Sequence, residues 1–395
     1  MIGADTSWIL TSTALVLIMT LPGLALFYGG LVRSSNILSV LIQCFAIACL
    51  ASILWLVAGY SIAFSGEGAY IGDLKKVFLR GVGTETTLGN LPENVFFMFQ
   101  MTFAVITPAL IVGAYVERIK FSAVLWISGL WLLLVYAPVT HWIWGGGWLA
   151  KIGVQDFAGG LVVHLNCGMA ALVIAKMLGS RKGFPNDVKP PHSPVLVFVG
   201  AAMLWVGWFG FNGGSVLSAD PALTSLTLVT TCLAAAAGGI GAAVLSGILY
   251  KNLDLTMFMN GVLGGLVGIT AGADQMLPHT AILIGLIAGG IVVLSVALLD
   301  KCKLDDPVGA IPVHLFCGIW GTLAVGLFGE LAGFDQFMVQ LACVGITAVF
   351  CVIGGTIITL IVKSIAGLRV DEKEEEDGLD IAEHGTRAYG DFSIN

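Results

Sequence analysis

Charged residues are scarce in this sequence, and their scarcity excludes a soluble protein. Asp, Glu, Lys and Arg make up 11 % of the 395 residues, whereas 57 % are hydrophobic and the mean hydropathy is +0.95. A soluble domain carries about a quarter charged residues. Apolar windows long enough for a helix to cross a bilayer, about 20 residues, recur along the whole chain. The composition therefore predicts an integral membrane protein built from helices.

The sequence also lacks paired cysteines and a signal-peptide pattern. None of the eight cysteines forms a CxxC pair, so we interpret them as small apolar packing residues. No disulfide, metal site, cofactor, enzymatic activity or nucleic-acid partner is predicted. The first apolar segment has no basic n-region and no small-residue cleavage site, and we interpret it as a membrane span.

Eleven membrane spans are predicted from the apolar windows. They cover roughly residues 8–31, 37–64, 94–115, 121–140, 157–178, 194–216, 222–250, 256–273, 279–299, 307–328 and 337–365. The 52 glycines suit helices whose backbones pack closely. An odd number of spans puts the two termini on opposite sides of the membrane.

The distribution of basic residues predicts the orientation. With the N-terminus outside, fourteen of the 18 Lys and Arg residues face the cytoplasm, and only Lys75, Lys76, Arg80 and Lys151 face out. Cytoplasmic loops carry such an excess of positive charge. We therefore predict a multi-pass protein of the plasma membrane with its C-terminus in the cytoplasm.

Two segments of the chain are copies of each other. Residues 156–168 read DFAGGLVVHLNCG and residues 306–318 read DPVGAIPVHLFCG, so that Asp, His, Cys and two glycines recur at an offset of 150. A second match, between FYGGLV at 27–32 and FNGGSV at 211–216, pairs span 1 with span 6. Each repeat then holds five helices, and an odd number inverts the second copy relative to the first.

The predicted fold is thus all-α and integral to the membrane, with two inverted five-helix repeats and one extra helix. Repeat one covers about 8–178, repeat two about 194–328, and span 11 about 337–365. Residues 1–366 form the transmembrane domain. Residues 367–395 form a charged cytoplasmic tail, and we predict that Leu368, Val370, Leu379 and Ile381 dock it under the membrane body.

His164 and His314 are the candidate functional pair. An ionisable residue inside a membrane helix is costly and therefore suggests a functional site. Each histidine follows an aspartate, Asp156 or Asp306, by eight residues, which is about 12 Å of helical rise. Because the repeats are inverted, the two histidines should meet near mid-membrane, where imidazoles can share a hydrogen bond or pass a proton. Each aspartate is placed to cap a helix N-terminus.

Aromatic residues cluster towards the outer ends of several spans. They fit two interpretations, an interfacial belt or a cation–π cup above a hydrophobic gate, and composition does not choose between them. The cluster comprises Phe99, Phe103, Trp142, Trp144, Trp148, Trp205, Trp208, Phe209 and Phe211.

Several motifs together make the chain resemble ammonium transporters of the Amt/Mep/Rh family, on the Amt side. The resemblance covers nearly the whole chain. Its motifs are PGLALFYGGLVR (22–33), ERIKFSAVL (117–125), THWIWGGGWLA (140–150), DFAGGLVVHLNCG (156–168), GWFGFNGGS (207–215) and DDPVGAIPVHLFCG (305–318), with GLRV, DGLD and HG in the tail.

The resemblance implies a homotrimer in the lipid bilayer with one pore per subunit, and a role for each pore residue. Phe103, Trp144 and Ser215 would recruit ammonium at the outer face, and Phe103 with Phe211 would form a gate. His164 and His314 would be the twin histidines of the narrow pore. Asp156 would support the site, Trp208 would pack near the entrance, and Phe27 and Tyr28 would lie towards the inner half.

Physical reasoning agrees with the implied function. An aromatic cup and a hydroxyl replace part of the hydration shell of ammonium, whereas a dry pore rejects an ion because charge at the bilayer centre is costly. We therefore predict that ammonium loses a proton near the gate and that ammonia passes the histidines. The proton can follow along the imidazoles. Potassium cannot lose a proton and would be excluded.

Two alternatives remain at the sequence level. An ammonium sensor that conducts poorly would carry the same pore motifs, although a sensor usually needs an output domain and only about 30 residues follow span 11. A bis-histidine haem protein would also place paired histidines on helices. The tail further implies, through the resemblance, a PII signalling protein as a cytoplasmic partner that regulates transport in nitrogen metabolism.

Overall fold

The computed structural model describes residues 3–390, which contain a bundle of eleven apolar helices. Ten of them are long and apolar enough to cross a membrane, and Leu255–Thr270 is a shorter apolar helix between two of these. In chain order the helices are α1 Gly3–Leu31, α2 Ser34–Phe64, α3 Glu93–Ala114, α4 Phe121–Lys151, α5 Gly160–Leu178, α6 Pro194–Gly214, α7 Pro221–Tyr250, α8 Leu255–Thr270, α9 Pro278–Lys301, α10 Ile311–Phe328 and α11 Phe334–Ile365.

The predicted spans agree with these helices, and the differences lie at their ends. Helix α4 runs to Lys151, beyond the predicted end at 140, because the apolar segment turns at Gly145–Gly147 and ends in the short helix Trp148–Lys151. Helix α8 ends at Thr270 rather than 273. Residues 1–2 and 391–395, which belong to the predicted membrane domain and tail, lie outside the described residues.

The two inverted repeats meet at a close contact between α5 and α10. A Cβ atom on Gly168 would lie 2.4 Å from the backbone nitrogen of Leu315, and a Cβ atom on Gly318 would lie 3.0 Å from that of Leu165. These glycines occupy the same place in the two copies of the sequence motif. Each one allows the backbone beside the other repeat's histidine to approach, which brings the two histidine turns together.

The histidine-bearing turns are π-helical in both repeats. They span Gly160–Leu165 at the start of α5 and Ile311–Phe316 at the start of α10. Such turns are short and are frequently found at functional sites. Three more lie in the described residues, at Met19–Leu24, Trp55–Gly59 and Leu132–Tyr136. The outer loop between α2 and α3 contains a two-stranded hairpin, formed by β1 Thr87–Leu88 and β2 Leu91–Pro92.

The tail folds back onto the inner face as two short helices, α12 Glu372–Asp377 and α13 Leu379–Ala382. Leu368, Val370 and Leu379 are buried, as predicted, but Ile381 is 40 % exposed and does not dock. The neighbouring residue Asp380 makes the contact instead. Its carboxylate is buried against the start of α2, and the hydrophobic pattern did not predict this polar contact. "Inner" and "outer" below follow the predicted orientation.

Candidate pore and outer site

His164 and His314 face each other in the centre of the bundle. Their ring centroids lie 5.3 Å apart, the ring planes differ by 9°, and the side chains are 1 % and 5 % exposed. Within residues 3–390, no protein atom forms a hydrogen bond with either ring nitrogen of His164 or with Nδ1 of His314. The hydrogen bond between the rings that the sequence suggested is therefore not formed, and these nitrogens have no partner among the described residues.

Two aspartates hold the turns that carry the histidines. The carboxylate of Asp156 accepts hydrogen bonds from the backbone N–H groups of residues 159–162 at 2.6–3.1 Å. Asp306 accepts three equivalent bonds from residues 309–311 at 2.7–3.2 Å. The predicted helix caps are thus present in both repeats. A carboxylate there satisfies N–H groups that would otherwise be unpaired and opposes the positive end of the helix dipole.

Aromatic rings enclose His164 from the outer side. Trp208 stacks on it at 5.5 Å and 17°, and Phe211 lies at 5.8 Å. The indole N–H of Trp208 donates to the hydroxyl of Thr270 at 2.9 Å, which fixes the ring. Trp208 therefore lies beside the histidines, deeper than the entrance where the resemblance suggested it. The cavity around the pair is otherwise almost entirely apolar.

Phe27 and Tyr28 line the inner half of the same cavity, as expected. The hydroxyl of Tyr28 donates to the carbonyl oxygen of Leu110 at 3.0 Å, and both rings are 2 % exposed. The cavity thus runs from Phe211 past both histidines to the inner ends of α1, α3 and α8. A narrow apolar path of this kind suits a small neutral molecule better than an ion.

The predicted recruitment and gate residues meet at the outer end of this path. Phe103 lies 5.7 Å from Trp144 at an angle of 88°, and 4.4 Å from Phe211. The Ser215 hydroxyl donates to the carbonyl oxygen of Phe211 at 2.8 Å, so its lone pairs are left as acceptors. Trp144 donates its indole N–H to the carbonyl oxygen of Asp156 at 2.7 Å. One aspartate thereby supports both the histidine turn and the outer tryptophan.

The outer aromatic rings fall into two groups. Phe103 and Trp144 line an outer cavity together with Ser215, whereas Trp142 and Trp148 pack on each other at 5.6 Å and do not line it. The sequence could not separate the two groups, since which rings line a common cavity depends on how the helices pack against one another.

The similarity of nearly the whole chain to known proteins identifies its family. The model of the Ammonium Transporter Family matches residues 7–389. The chain belongs to this family. The ammonium transporter of Bacillus subtilis is 41 % identical, with 98 % of each chain covered, and the ammonium transporter Amt1 of Archaeoglobus fulgidus is 40 % identical, with 98 % of this chain and 99 % of the relative covered.

Solved structures of family members have the same fold. A sensor Amt protein matches with a TM-score of 0.91 at 30 % identity, covering 97 % of this chain and 98 % of its own. Mep2 of Candida albicans matches with a TM-score of 0.88 at 31 % identity, covering 94 % of this chain and 87 % of its own. The family is one of transport proteins and not of enzymes, and its members span the membrane many times.

His141 is a residue of this family member that the sequence interpretation did not single out. It is fully buried on α4 three residues before Trp144. Its two ring nitrogens lie 2.9 Å and 2.6 Å from the carbonyl oxygens of Ala63 and Gly68. The ring therefore ties the end of α2 and the following loop to the turn that presents Trp144. Its position next to glycines, THWIWGGG, was the available sequence signal.

The inner face contains a second group of buried ionisable residues that sequence inspection also missed. Arg181 forms ion pairs with Glu117 at 2.7 Å and with Asp305 at 2.8 Å. Arg118 is fully buried and donates to the carbonyl oxygens of Asp305 at 2.9 Å and Gly179 at 2.8 Å. Burial raises the pKa of Glu117, but the charges of Arg181 and Arg33 outweigh it and hold the pKa below its ordinary value.

The tail attaches next to this cluster through its carboxylates. Asp380 accepts from the N–H groups of Ser39 at 2.7 Å and Leu38 at 3.1 Å, and so caps the start of α2. Glu383 caps the start of α4 by accepting from the N–H of Phe121 at 2.8 Å. Glu375 accepts from the backbone N–H of Lys182, in the loop after α5, at 2.8 Å. The tail is thus fastened to two membrane helices and not only to solvent-exposed loops.

Proposed function

We propose that the protein carries ammonium across the membrane by recruiting the cation at the outer site and conducting ammonia through the histidine-lined path. The proposal rests on the pair of buried histidines in one apolar cavity. Three of their four ring nitrogens are buried and form no hydrogen bond with a described residue. Unpartnered polar groups at such a depth are costly to the fold and are retained where they meet a substrate.

Recruitment uses the face of Trp144 and the oxygen of Ser215. The indole N–H is bound to Asp156, so the ring face is free to meet a cation, and a cation–π contact is worth about 0.5–2 kcal/mol. Ser215 adds an acceptor for an N–H of ammonium. The contact between Phe103 and Phe211 closes the path below this site.

Beyond the phenylalanines the cavity offers no charge to balance a cation. Ammonium therefore releases a proton at the gate, and ammonia passes His164 and then His314. The released proton would be accepted by a ring nitrogen of His164. Because the two rings share no hydrogen bond, it would reach His314 only through a bridging ammonia or water molecule. Potassium and sodium have no proton to release, and the same apolar cavity excludes them.

Current across a solid-supported membrane that carries proteoliposomes tests this function. We expect an ammonium pulse to evoke a current in the wild type that potassium does not evoke. We expect His164→Ala with His314→Ala to be silent or to pass potassium. An ammonium response in the double variant identical to that of the wild type would refute a role for the pair. No wild-type current, with saturable ammonium binding, would overturn transport.

Trp144→Leu tests the recruitment step separately. Losing the cation–π contact should raise the ammonium concentration for half-maximal current by about 2- to 30-fold, with a smaller change in maximal current. Trp126→Leu is the matched control, because Trp126 lies on the same helix and is 52 % exposed at the bundle surface. An equal effect of both substitutions would argue against a cation site at Trp144.

An ammonium sensor that conducts poorly is the second candidate, supported by the likeness to the sensor Amt protein. The same current measurement distinguishes the two, since a sensor would bind ammonium saturably with little charge movement. The same residues would contact ammonium at the outer site in a transporter and in a sensor.

We further propose a homotrimer in the plasma membrane, with residues 1–366 as the transport domain and residues 367–395 as a cytoplasmic regulatory tail that receives a PII signalling protein. The docked tail supports a regulatory role, because its caps link it to α2 and α4. Mass photometry in detergent tests the trimer. Truncation at Gly367 should abolish co-purification with PII. Unchanged binding would show that the tail is not needed for that interaction.

A further inference from the structure

Asn260 lies in the inner half of the pore, on the first turns of α8. It lines the same cavity as both histidines, together with Leu263, Val308 and Gly309. Its side chain is 6 % exposed. The inner part of the cavity is otherwise formed by apolar side chains and Tyr28, so a carboxamide there is conspicuous on chemical grounds.

The hydrogen bond of Asn260 fixes the orientation of its carboxamide. The Nδ2 group donates to the carbonyl oxygen of Val308 at 3.4 Å. A backbone carbonyl only accepts, so the nitrogen of the carboxamide must face it and the oxygen must point away. No described residue donates a hydrogen bond to Oδ1. Asn260 therefore leaves a buried acceptor without a protein partner.

The surrounding backbone makes room for this side chain. Gly309 adopts a φ of +80°, and a Cβ atom placed on it would lie 3.0 Å from Nδ2 of Asn260. The hydroxyl of Tyr28, which also lines the cavity, donates its proton to the carbonyl oxygen of Leu110 and keeps lone pairs that can accept. Asn260 adds a carbonyl acceptor at this level, and no described residue donates to it.

We propose that Oδ1 of Asn260 accepts a hydrogen bond from ammonia after it passes His314, and so acts as an exit station that favours N–H donors. The proposal rests on the transport function above. Ammonia carries three N–H groups and loses its hydration in the apolar path, and a neutral carbonyl oxygen compensates this loss without attracting a proton as a carboxylate does. His164, His314 and Asn260 would then form three successive stations.

Asn260→Ala and Asn260→Ser provide the test, because these variants are similar in size and differ by a hydroxyl acceptor. The removal of one neutral hydrogen bond corresponds to about a 3- to 10-fold effect. We expect Asn260→Ala to lower the maximal ammonium current by that factor, and Asn260→Ser to lower it less. The half-saturating concentration should stay unchanged, since the outer site is intact.

Leu263→Ala is the control, because Leu263 lies one turn along α8 in the same cavity and its loss widens the path without removing an acceptor. Asn260→Ala with a wild-type current would overturn the exit station. Equal losses in Asn260→Ala, Asn260→Ser and Leu263→Ala would also overturn it, since packing would then explain the effect. A silent wild type would instead overturn the transport function. Unfolding temperatures of all variants exclude misfolded protein from the comparison.

Discussion

The pore centre and the inner face both bury ionisable side chains, but they treat them in opposite ways. At the inner face Arg118, Arg181 and Asp305 are joined by ion pairs and hydrogen bonds. In the pore, His164 and His314 lie against aromatic and aliphatic side chains, with nitrogens that no described residue binds. The charges of the inner face are thus satisfied by protein partners, whereas three ring nitrogens of the histidine pair are not. The two regions therefore differ in whether their buried ionisable side chains have protein partners.

The largest effect should come from breaking the inner cluster. Asp305→Ala leaves Arg118 and part of Arg181 buried without their carboxylate, and removal of one partner of a buried pair costs about 3–5 kcal/mol. Thermal unfolding in detergent measures the loss. Asp187→Ala is the control, because its pair with Lys189 is exposed and contributes little. An equal, small effect of both would show that the cluster does not stabilise the fold.

The converse substitution in the pore should spare the fold. His164→Leu with His314→Leu replaces two unpartnered polar rings by apolar side chains, which should leave the unfolding free energy unchanged or raise it by about 1 kcal/mol. Ammonium current should be lost. Calorimetry and current are measured on the same preparation. A loss of stability as large as that of Asp305→Ala would break the distinction between the two regions.

A third prediction concerns the docking of the tail, which we expect to depend on the cap that Asp380 provides. Asp380→Ala removes the cap of α2 and should weaken tail docking by about 0.5–2 kcal/mol. Limited proteolysis after Gly367 should become faster, with an unchanged unfolding temperature of the membrane body. Glu372→Ala is the control on an exposed tail residue. Identical digestion of both variants would mean that Asp380 is not a fastening point.

The smallest expected effect is a loss of stability of the inner face at acidic pH. The pKa values of Glu117 and Asp305 lie below their ordinary values of 4.5 and 3.8, since the opposing effect of burial is outweighed by Arg181 in both cases. A lowered pKa adds stability that is present above the ordinary value and is lost as pH falls through the folded-state value. Unfolding temperature should therefore decline below pH 4.5. A flat profile there would contradict the assignment.

Much of the candidate site could be predicted because duplication leaves a pattern in the sequence. The offset of 150 identified both histidines and both capping aspartates, and the resemblance added Phe103, Trp144 and Ser215, which meet around one cavity. Trp208 was expected near the entrance but stacks on His164. This contact depends on how α6 is rotated and shifted against α5, which the periodicity along one helix does not report.

Residues without a repeat partner or an apolar pattern were missed. Asn260 stands in none of the quoted motifs, and His141 and Arg118 stand in motifs that did not show which groups they contact. Their importance comes from the groups they meet across the bundle. The tail gives the same lesson, because a hydrophobic pattern predicted Ile381 as a docking residue where Asp380 makes the contact.

The sequence by itself determined the membrane setting, the helical spans, the duplication and the identity of the paired histidines. These follow from hydropathy and from repeated residues, which are properties of the chain read in order. The tertiary structure decided which polar atoms are satisfied, how the aromatic rings divide between cup and packing, and where the tail is fastened. Those depend on distances between helices that are far apart in the chain, and a hydrogen bond or its absence is defined only by such distances.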